Sequence, residues 1–201
     1  MSRPENDITL DPYGDRCLVV GTGDNQTRIL VSSHAMRLAS PVWKAMLTGP
    51  YQEGTAEEIP FPSDDPDAFL IMLQIAHLQF NDLPSSLEFQ ELVNVAAICD
   101  KYDMVSIFRP FSKKLIEPLE PLAKEIGFEE WLFIAWTFGY PEIFERVMNR
   151  LVLHSSTNAN GQCLNEKGKI LDELLMPPTV VGKFRLFTSP NYRLGIESVV
   201  N

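Results

Sequence analysis

The chain is poor in cysteine, and the few cysteines it has are scattered. Only three occur in 201 residues, namely Cys17, Cys99 and Cys163. An odd and widely spaced set of thiols argues against a disulfide framework and fits a reducing compartment, where a thiol inside an apolar run behaves as a small buried hydrophobe. We therefore expect free thiols and an intracellular protein, in the cytoplasm, the nucleus or both.

Basic residues are also scarce. The chain has 17 Lys and Arg against 27 Asp and Glu, a formal net charge of −10, and a single basic pair at Lys113-Lys114. Binding to phosphates through counterion release needs clustered cations, so we expect neither nucleic acid nor an anionic membrane as a partner. No segment approaches the ~18 continuous apolar residues of a transmembrane helix, and residues 1–7 lack the apolar stretch of a signal peptide.

Signatures of catalysis and of metal binding are weak. The three histidines are distant from one another and from the cysteines, without a ligand pair at zinc-site spacing. Gly21-Thr22-Gly23 follows an apolar strand, but a second strand comes next, so no helix N-terminus is available for a dinucleotide phosphate. Cys99 is better explained as a buried thiol than as a nucleophile. We expect no metal, no cofactor and no catalytic residue.

What the chain does contain predicts an α+β domain in its first half. Two β-prone runs, 17–21 and 28–31, are separated by a polar turn. A helical pair follows, broken at Ser40-Pro41, where Ser can cap a helix and Pro can occupy its first turn. A third strand candidate, 58–61, contains a proline that favours an edge position. These runs predict a small three-stranded sheet.

Two core helices are expected after the sheet. Asp65-Pro66-Asp67 is typical of a helix start and opens the most apolar segment, whose stripe extends from Phe69 to Phe80. Ser85-x-x-Glu88 predicts a capping box for a second helix that ends near Tyr102. A shorter helix is expected over 104–115.

Prolines and charged residues at 117–121 indicate a domain boundary. Beyond it, the pattern predicts a helical hairpin over 128–138 and 142–153, an exposed loop at 155–162 and a last short helix at 169–176. The chain is thus divided into a polar lead (1–14), a first domain (15–120), a helical extension (121–186) and a tail (187–201).

Several of these segments together resemble the BTB/POZ domain family. The resemblance is carried by GDRCLVVG at 14–21, LVSSHAMRLASPVWKAML at 30–47, EIPFP at 58–62, DPDAF at 65–69 and AICDKYD at 97–103. The resemblance covers about residues 15–120, and the chain looks most like the short BTB proteins of filamentous fungi. It implies a small three-stranded sheet capped by a cluster of helices, here followed by a helical extension.

The resemblance implies a protein–protein interaction module that acts as a binding or oligomerisation scaffold without catalysis. Members of the family associate with themselves and with other proteins, and some bring substrates to cullin-3 ubiquitin ligases. A cullin-3 substrate adaptor is therefore the alternative hypothesis, and an enzyme of unrecognised type is a third. The expected partners are proteins, a second copy of the chain and cullin-3 among them.

Three polar residues match the family's motif. Asp15 corresponds to the acidic residue before the first strand, His34 to the histidine that opens the helical pair, and Ser40 to the serine at its break. We expect them to be buried, hydrogen-bonded structural groups. Ala35 departs from the pattern, because many members have a basic residue next to the histidine.

Partner-binding candidates lie at two places. Relatives that bind cullin-3 often use a hydrophobic-x-Glu element, and Phe89-Gln90-Glu91 has this pattern, although Phe89 also fits the apolar stripe of its helix. In the extension, Trp131, Trp136 and Tyr140 are candidate exposed anchors for a partner, with core packing as the alternative.

Overall fold

The computed structural model describes residues 7–50, 56–178 and 180. Its fold is mixed α/β and mostly helical, which is compatible with the predicted α+β class. The chain divides after Pro118 into two compact units, Met1–Pro118 and Leu119–Asn201. The predicted tail (187–201) and the last part of the predicted extension lie outside the described residues.

The sheet of the first unit has four strands, so the prediction of three is wrong. They are β1 (Asp7–Thr9), β2 (Arg16–Val20), β3 (Thr27–Val31) and β4 (Glu58–Phe61), in the order β1-β3-β2-β4. β2 and β3 are antiparallel, while β1 is parallel to β3 and β4 is parallel to β2. β1 lies in the predicted polar lead, where Ile8-Thr9-Leu10 allows a short strand but is too short a pattern to predict one by itself.

The hairpin of β2 and β3 closes at a position that only glycine fits. Gly21 has a φ of +79°, and a Cβ added there would lie 2.7 Å from the Asn25 carbonyl oxygen and 2.8 Å from Pro66 Cγ. Any larger residue would be strained and would also collide with the helix that begins at Pro66. The hairpin turn is therefore packed directly against that helix.

The predicted helical pair is confirmed as α1 (Ser33–Ala39) and α2 (Pro41–Thr48). Ser40 caps α2, since its Oγ accepts a hydrogen bond from the Trp43 N–H at 3.0 Å. The same hydroxyl donates to the Tyr102 carbonyl oxygen at 2.5 Å. Ser40 thus both ends one helix and attaches the start of the next to a segment 62 residues away.

The first core helix, α3 (Pro66–Ala76), starts as predicted and ends earlier than predicted. Asp65 Oδ1 accepts from the Ala68 N–H at 2.9 Å, and Pro66 occupies the first helical position. Most of its side chains are buried. The apolar stripe does not continue to Phe80 on the same helix, because the chain leaves α3 after Ala76 and Phe80 begins a short 3-10 turn.

The second core helix, α4 (Phe89–Lys101), begins one turn later than its predicted cap. Glu88 is the N-cap residue, and its N–H donates to Glu91 Oε2 at 2.7 Å. The capping box predicted at Ser85-x-x-Glu88 is therefore wrong, and Glu88-x-x-Glu91 takes its place. Acidic residues suit this position because the helix N-terminus carries partial positive charge.

An aromatic cluster forms the centre of the first unit. The Phe69 ring lies 5.6 Å from Trp43, 4.9 Å from Phe61 and 5.6 Å from Tyr102, measured between ring centroids. Trp43 and Phe69 are fully buried. Tilted and edge-to-face pairs at such distances stabilise a core beyond the area they bury.

The helix predicted over 104–115 is divided into three pieces. α5 (Val105–Phe108) is followed by a 3-10 turn, Arg109–Phe111, and then by α6 (Ser112–Leu115). Pro110 explains the change, because it has no N–H to continue the α-helical hydrogen bonds. The backbone nevertheless stays in the right-handed helical region at Arg109 and Ser112.

The second unit contains the predicted helical hairpin, α7 (Trp131–Phe138) and α8 (Pro141–His154). Gly139 ends α7 in the left-handed conformation, with φ +78°. Ile143, Val147 and Leu151 form the buried stripe of α8.

The rest of the second unit differs in part from the prediction. Most of the predicted loop at 155–162 is exposed and irregular, but it contributes a two-residue strand, β5 (Ser156–Thr157), which pairs with β6 (Cys163–Leu164). The helix predicted at 169–176 is wrong, because only a 3-10 turn forms at Leu171–Glu173. The extension is therefore not purely helical. A buried side-chain pair holds this region, since Asn165 Nδ2 donates to Glu129 Oε2 at 2.9 Å.

Candidate partner-binding groove

The first unit carries an open, mainly apolar groove of about 690 Å³. It is formed by α1, by the end of α3 with the residues that follow it, and by the α5 to α6 segment. Its apolar lining includes Ala35 and Leu38, Ile75 and Leu78, and Ile107 and Phe111. Its polar lining includes Asp11, Ser32, His34 and His77. We call this surface the α1–α3 groove.

The sequence of α1 explains why the surface is concave. Ala35 and Ala39 line the groove next to Leu38. Because an alanine side chain is a single methyl group, the two alanines leave room beside the longer leucine. Leu38 itself is 78% exposed, although it is a large apolar residue.

Hydrogen bonds from His77 fix the end of α3 against the start of α1. His77 Nε2 lies 3.0 Å from the Ser32 backbone nitrogen, and Nδ1 lies 2.8 Å from the Leu73 carbonyl oxygen. A backbone N–H can only donate, so Nε2 is the acceptor and Nδ1 carries the proton donated to Leu73. A second hydrogen bond attaches the residues after α3 to the residues after β1, since Gln79 Nε2 donates to the Leu10 carbonyl oxygen at 2.7 Å.

Leu78, between these two anchored side chains, has an unusual backbone. Its φ is +60°, a left-handed conformation that glycine or asparagine adopts more readily than leucine. Such a position costs a non-glycine residue about 1 kcal/mol or more. The Leu78 side chain is nevertheless 74% exposed, so its burial offsets little of this conformational cost.

Large apolar side chains around the groove are left accessible to a partner. Leu38, Leu78 and Phe80 are all exposed. The Phe80 ring packs against the Phe111 ring of the groove wall, with 5.4 Å between the ring centroids. Covering such a side chain fully is worth about 1.5–3 kcal/mol. The sequence pattern placed Phe80 on the buried stripe that begins at Phe69 and so did not identify it as exposed. α3 ends after Ala76 with His77 at the C-cap, and no glycine or proline marks this end in the sequence.

Asp15 stabilises the first turn of α1, one of the helices that form the groove. Its Oδ1 accepts from the Ser33 N–H at 2.7 Å, and its Oδ2 accepts from the Ser33 hydroxyl at 2.8 Å. Partial burial raises the pKa of Asp15, but the Ser33 hydrogen bonds and the neighbouring Arg16 outweigh it, and the pKa is lowered overall. The predicted hydrogen bonding is confirmed, whereas the predicted burial is wrong, because the side chain is 49% exposed.

The other two motif residues differ from each other. His34 is exposed and lines the groove, with its Nδ1 3.3 Å from Arg37 Nη2. The expectation that His34 is buried is therefore wrong, because α1 turns this face outward. Ser40 is 1% exposed and fully hydrogen-bonded within the core, as expected.

Phe89 and Glu91, the candidate cullin-3 element, lie outside the groove lining. Phe89 is half-buried at the first position of α4. The Glu91 carboxylate accepts the Glu88 N–H, so helix capping accounts for an acidic residue there. Cullin-3 binding through this element stays a prediction.

The aromatic candidates of the second unit are not equivalent. Trp131 is completely buried, so the prediction that it is an exposed anchor is wrong. It lies at the start of α7, whose first five residues are all apolar and buried. Trp136 is 43% exposed and contacts Phe133, with 5.7 Å between ring centroids. Tyr140 is half-buried. A partner-binding role for Trp136 and Tyr140 stays a prediction.

A second cavity of about 350 Å³ is polar, and its acidic residues are already engaged. Asp64 is buried and accepts from Lys101 Nζ at 2.7 Å and from the Tyr102 hydroxyl at 2.6 Å. Burial, together with Asp64, raises the pKa of Tyr102, which keeps its hydroxyl protonated as a donor. Asp65 caps α3. Both carboxylates thus have structural roles.

Residues 7–50 and 56–178 contain no group of three or more His, Cys, Asp or Glu side chains placed to hold a metal ion. Cys99 is fully buried, and this burial raises the pKa of its thiol, so it lacks the character of a nucleophile. Within the same described segments, no helix combines the length and the apolar character required to cross a bilayer.

No protein-family model matches the chain, and no curated protein matches it either.

Proposed function

We propose that the chain is a protein–protein interaction module of the BTB/POZ type, which acts as a binding or oligomerisation scaffold without catalysis. The observation that carries the proposal is the α1–α3 groove, with Leu38 and Leu78 each about three-quarters exposed on a concave apolar surface. Exposed apolar surface of this kind marks interaction sites on folded proteins. The motif residues Asp15 and Ser40 hold the helices that form it.

The exposure of the leucines favours a protein over a small molecule. Small-molecule sites enclose most of their ligand's surface, about 70–90% of it. Leu38 and Leu78 project into solvent instead of closing over a cavity. A broad partner surface that covers both side chains would bury them, whereas a small ligand between them would not.

Burial of these side chains accounts for a useful part of a binding energy. Two leucines that become fully covered contribute about 3–6 kcal/mol together. A complex with a micromolar dissociation constant needs about 8 kcal/mol. Phe80 and the groove walls can supply the remainder, so replacement of one leucine should weaken binding by at least about ten-fold.

The test is a selection of binding peptides with a matched pair of variants. A phage-displayed library of random peptides of about 16 residues, or about 24 Å as helices, is selected against the full chain, against Leu38→Asp and against Leu153→Asp. Leu153 is 72% exposed, on α8, and does not line the groove. We expect enrichment on the wild-type chain and on Leu153→Asp, and none on Leu38→Asp.

Absence of enrichment on the wild-type chain, or equal enrichment on Leu38→Asp, would overturn the groove as a protein-binding surface. Both variants replace an exposed residue, so neither should impair folding, and circular dichroism checks this.

Size-exclusion chromatography with light scattering separates the forms of the proposal. A wild-type dimer that Leu38→Asp dissociates supports self-association through the groove. Co-elution with a cullin-3 N-terminal domain, lost in Phe89→Ala, supports the adaptor alternative instead.

A further inference from the structure

A lysine, Lys114, follows the residues that form one wall of the α1–α3 groove. Ile107, Pro110 and Phe111 line the groove. Lys114 follows them at spacings of seven, four and three residues, which place it on the same face of a helical segment. The periodicity applies because the backbone stays helical through the segment, with φ −48° and ψ −40° at Arg109 and φ −57° and ψ −41° at Ser112.

The segment that supplies Ile107, Pro110 and Phe111 to the groove also carries three basic residues, in a chain that is strongly acidic. Arg109, Lys113 and Lys114 lie within six consecutive positions, although only 17 basic residues occur in the whole chain and its net charge is −10. All three are exposed. None forms an ion pair with a carboxylate in the part of the chain that the structure describes. An acidic partner group can therefore approach them without displacing an internal one.

The groove also has one acidic lining residue. Asp11 lines it, and Asp11 Oδ1 accepts a hydrogen bond from the Tyr13 N–H at 2.8 Å. The charges of Asp11 and Lys114 are opposite, so removal of Lys114 should weaken the binding of an acidic partner, whereas removal of Asp11 should not.

The walls of the groove favour a helical occupant. They are formed mainly by α1, α3 and the α5 to α6 segment, whose backbone groups are largely engaged in their own helices. An extended strand binds by pairing with the free edge of a sheet, and the helical walls offer no such edge. Leu10 and Asp11, which follow β1 and also line the groove, already donate their N–H groups to the Leu30 carbonyl oxygen. An amphipathic helix, in contrast, binds through side chains one turn apart, which suits an apolar groove.

We propose that the α1–α3 groove binds an amphipathic helix of a partner protein, whose apolar stripe covers Leu38 and Leu78 and whose flanking acidic residues pair with Lys114. This inference rests on the proposed function and specifies its partner. Charge complementarity between the cations at 109–114 and an acidic flank selects this occupant over a basic helix.

The test uses the peptides enriched on the wild-type chain. We expect apolar residues at helical spacing, three or four positions apart, with Asp or Glu on one flank. The most enriched peptide is then synthesised with Glu or with Gln at its acidic positions, and the affinity of each form is measured by fluorescence anisotropy. The Glu form should bind about three-fold more tightly, as expected for exposed charge pairs.

Two variants of the chain locate the charge effect. Lys114→Gln should weaken binding of the Glu peptide about three-fold and leave the Gln peptide unchanged, whereas Asp11→Asn should leave the Glu peptide equally or more tightly bound. The Lys114→Gln effect should vanish at about 1 M salt, where the Debye length is about 3 Å.

The outcomes separate this inference from the proposed function. Enriched peptides without an acidic preference, or an unchanged Glu-peptide affinity in Lys114→Gln, overturn the charged flank and leave the groove as a protein site. Enriched sequences with alternating rather than helical spacing overturn the helix. A wild-type dimer whose dissociation is required before peptides bind identifies a second copy as the occupant and overturns the inference. Absence of any enrichment refutes the proposed function itself.

Discussion

Replacement of Ser40 by alanine removes two hydrogen bonds with one atom. The Ser40 hydroxyl accepts from the Trp43 N–H at the start of α2 and donates to the Tyr102 carbonyl oxygen at the end of α4. The residue is 1% exposed, so water cannot replace either bond without entering the core. Alanine therefore uncaps α2 and leaves the Tyr102 carbonyl without this donor.

The expected loss of stability combines both effects. Replacement of an N-cap serine by alanine costs about 1 kcal/mol. A buried carbonyl left without a partner costs about 1–3 kcal/mol. The free energy of unfolding should fall by about 2–4 kcal/mol, a large fraction of the ~5–15 kcal/mol that stabilises a typical domain.

Urea denaturation measures this loss, and hydrogen exchange locates it. Ser106, on α5, is exposed, so Ser106→Ala is a matched control with an expected change below about 0.5 kcal/mol. Amides in the first turn of α2 should exchange faster in Ser40→Ala than in the wild-type chain, since the Trp43 N–H loses its side-chain acceptor. A loss below about 0.5 kcal/mol, or unchanged exchange in α2, would refute the role assigned to Ser40.

Three further predictions test other parts of the structure. Because the pKa of Asp15 is lowered in the folded state, the ionised carboxylate stabilises the fold above the unfolded-state pKa of about 3.9. This stabilisation is lost as the pH falls through that value towards the folded-state pKa. Asp15→Ala should therefore lower the free energy of unfolding by about 1 kcal/mol at neutral pH, and urea titrations at several pH values should show a flatter acid dependence. Trp131→Ala should cost about 3–5 kcal/mol and Trp136→Ala less than about 1 kcal/mol, and thermal melts that reverse this order would contradict their burial. Iodoacetamide should label half-buried Cys17 before buried Cys99, and mass spectrometry that finds Cys99 labelled in the folded chain would contradict its enclosure.

The helix starts could be predicted because their cause is local. Asp65 caps an amide three residues away, and Ser40 does the same. Such bonds depend only on the residue types within one turn, and proline at the next position reinforces both signals. The starts of α2 and α3 therefore followed from short stretches of sequence.

The fourth strand has much weaker support in the sequence, which leaves a short strand at Ile8-Thr9-Leu10 possible without predicting it. β1 is only three residues long, and its pairing with β3 joins residues about 20 positions apart, such as Ile8 and Ile29. One apolar residue between polar neighbours has no periodicity to recognise. The strand exists because β3 offers a free edge, which is a property of the assembled sheet.

The groove was also invisible to sequence reasoning. Leu38 and Leu78 are apolar residues in apolar segments, and periodicity assigns such residues to a core. Their exposure depends on the end of α3 at Ala76, on the positive φ of Leu78 and on the two hydrogen bonds of His77. Two of the hydrogen bonds around this turn join distant parts of the chain, since Ser32 and His77 are 45 positions apart and Leu10 and Gln79 are 69 positions apart.

Leu78→Gly tests the central claim most directly, because it should weaken binding without lowering the stability of the fold. Glycine accepts a φ of +60° without strain, so the free energy of unfolding should stay the same or rise by up to about 1 kcal/mol. The affinity for the peptide most enriched on the wild-type chain should fall about ten-fold or more, since the exposed side chain is lost. Anisotropy titrations and urea melts on the same preparation measure both quantities. An unchanged affinity, or a marked loss of stability, would contradict the assignment of the α1–α3 groove as a protein-binding surface and leave Leu78 as a structural residue.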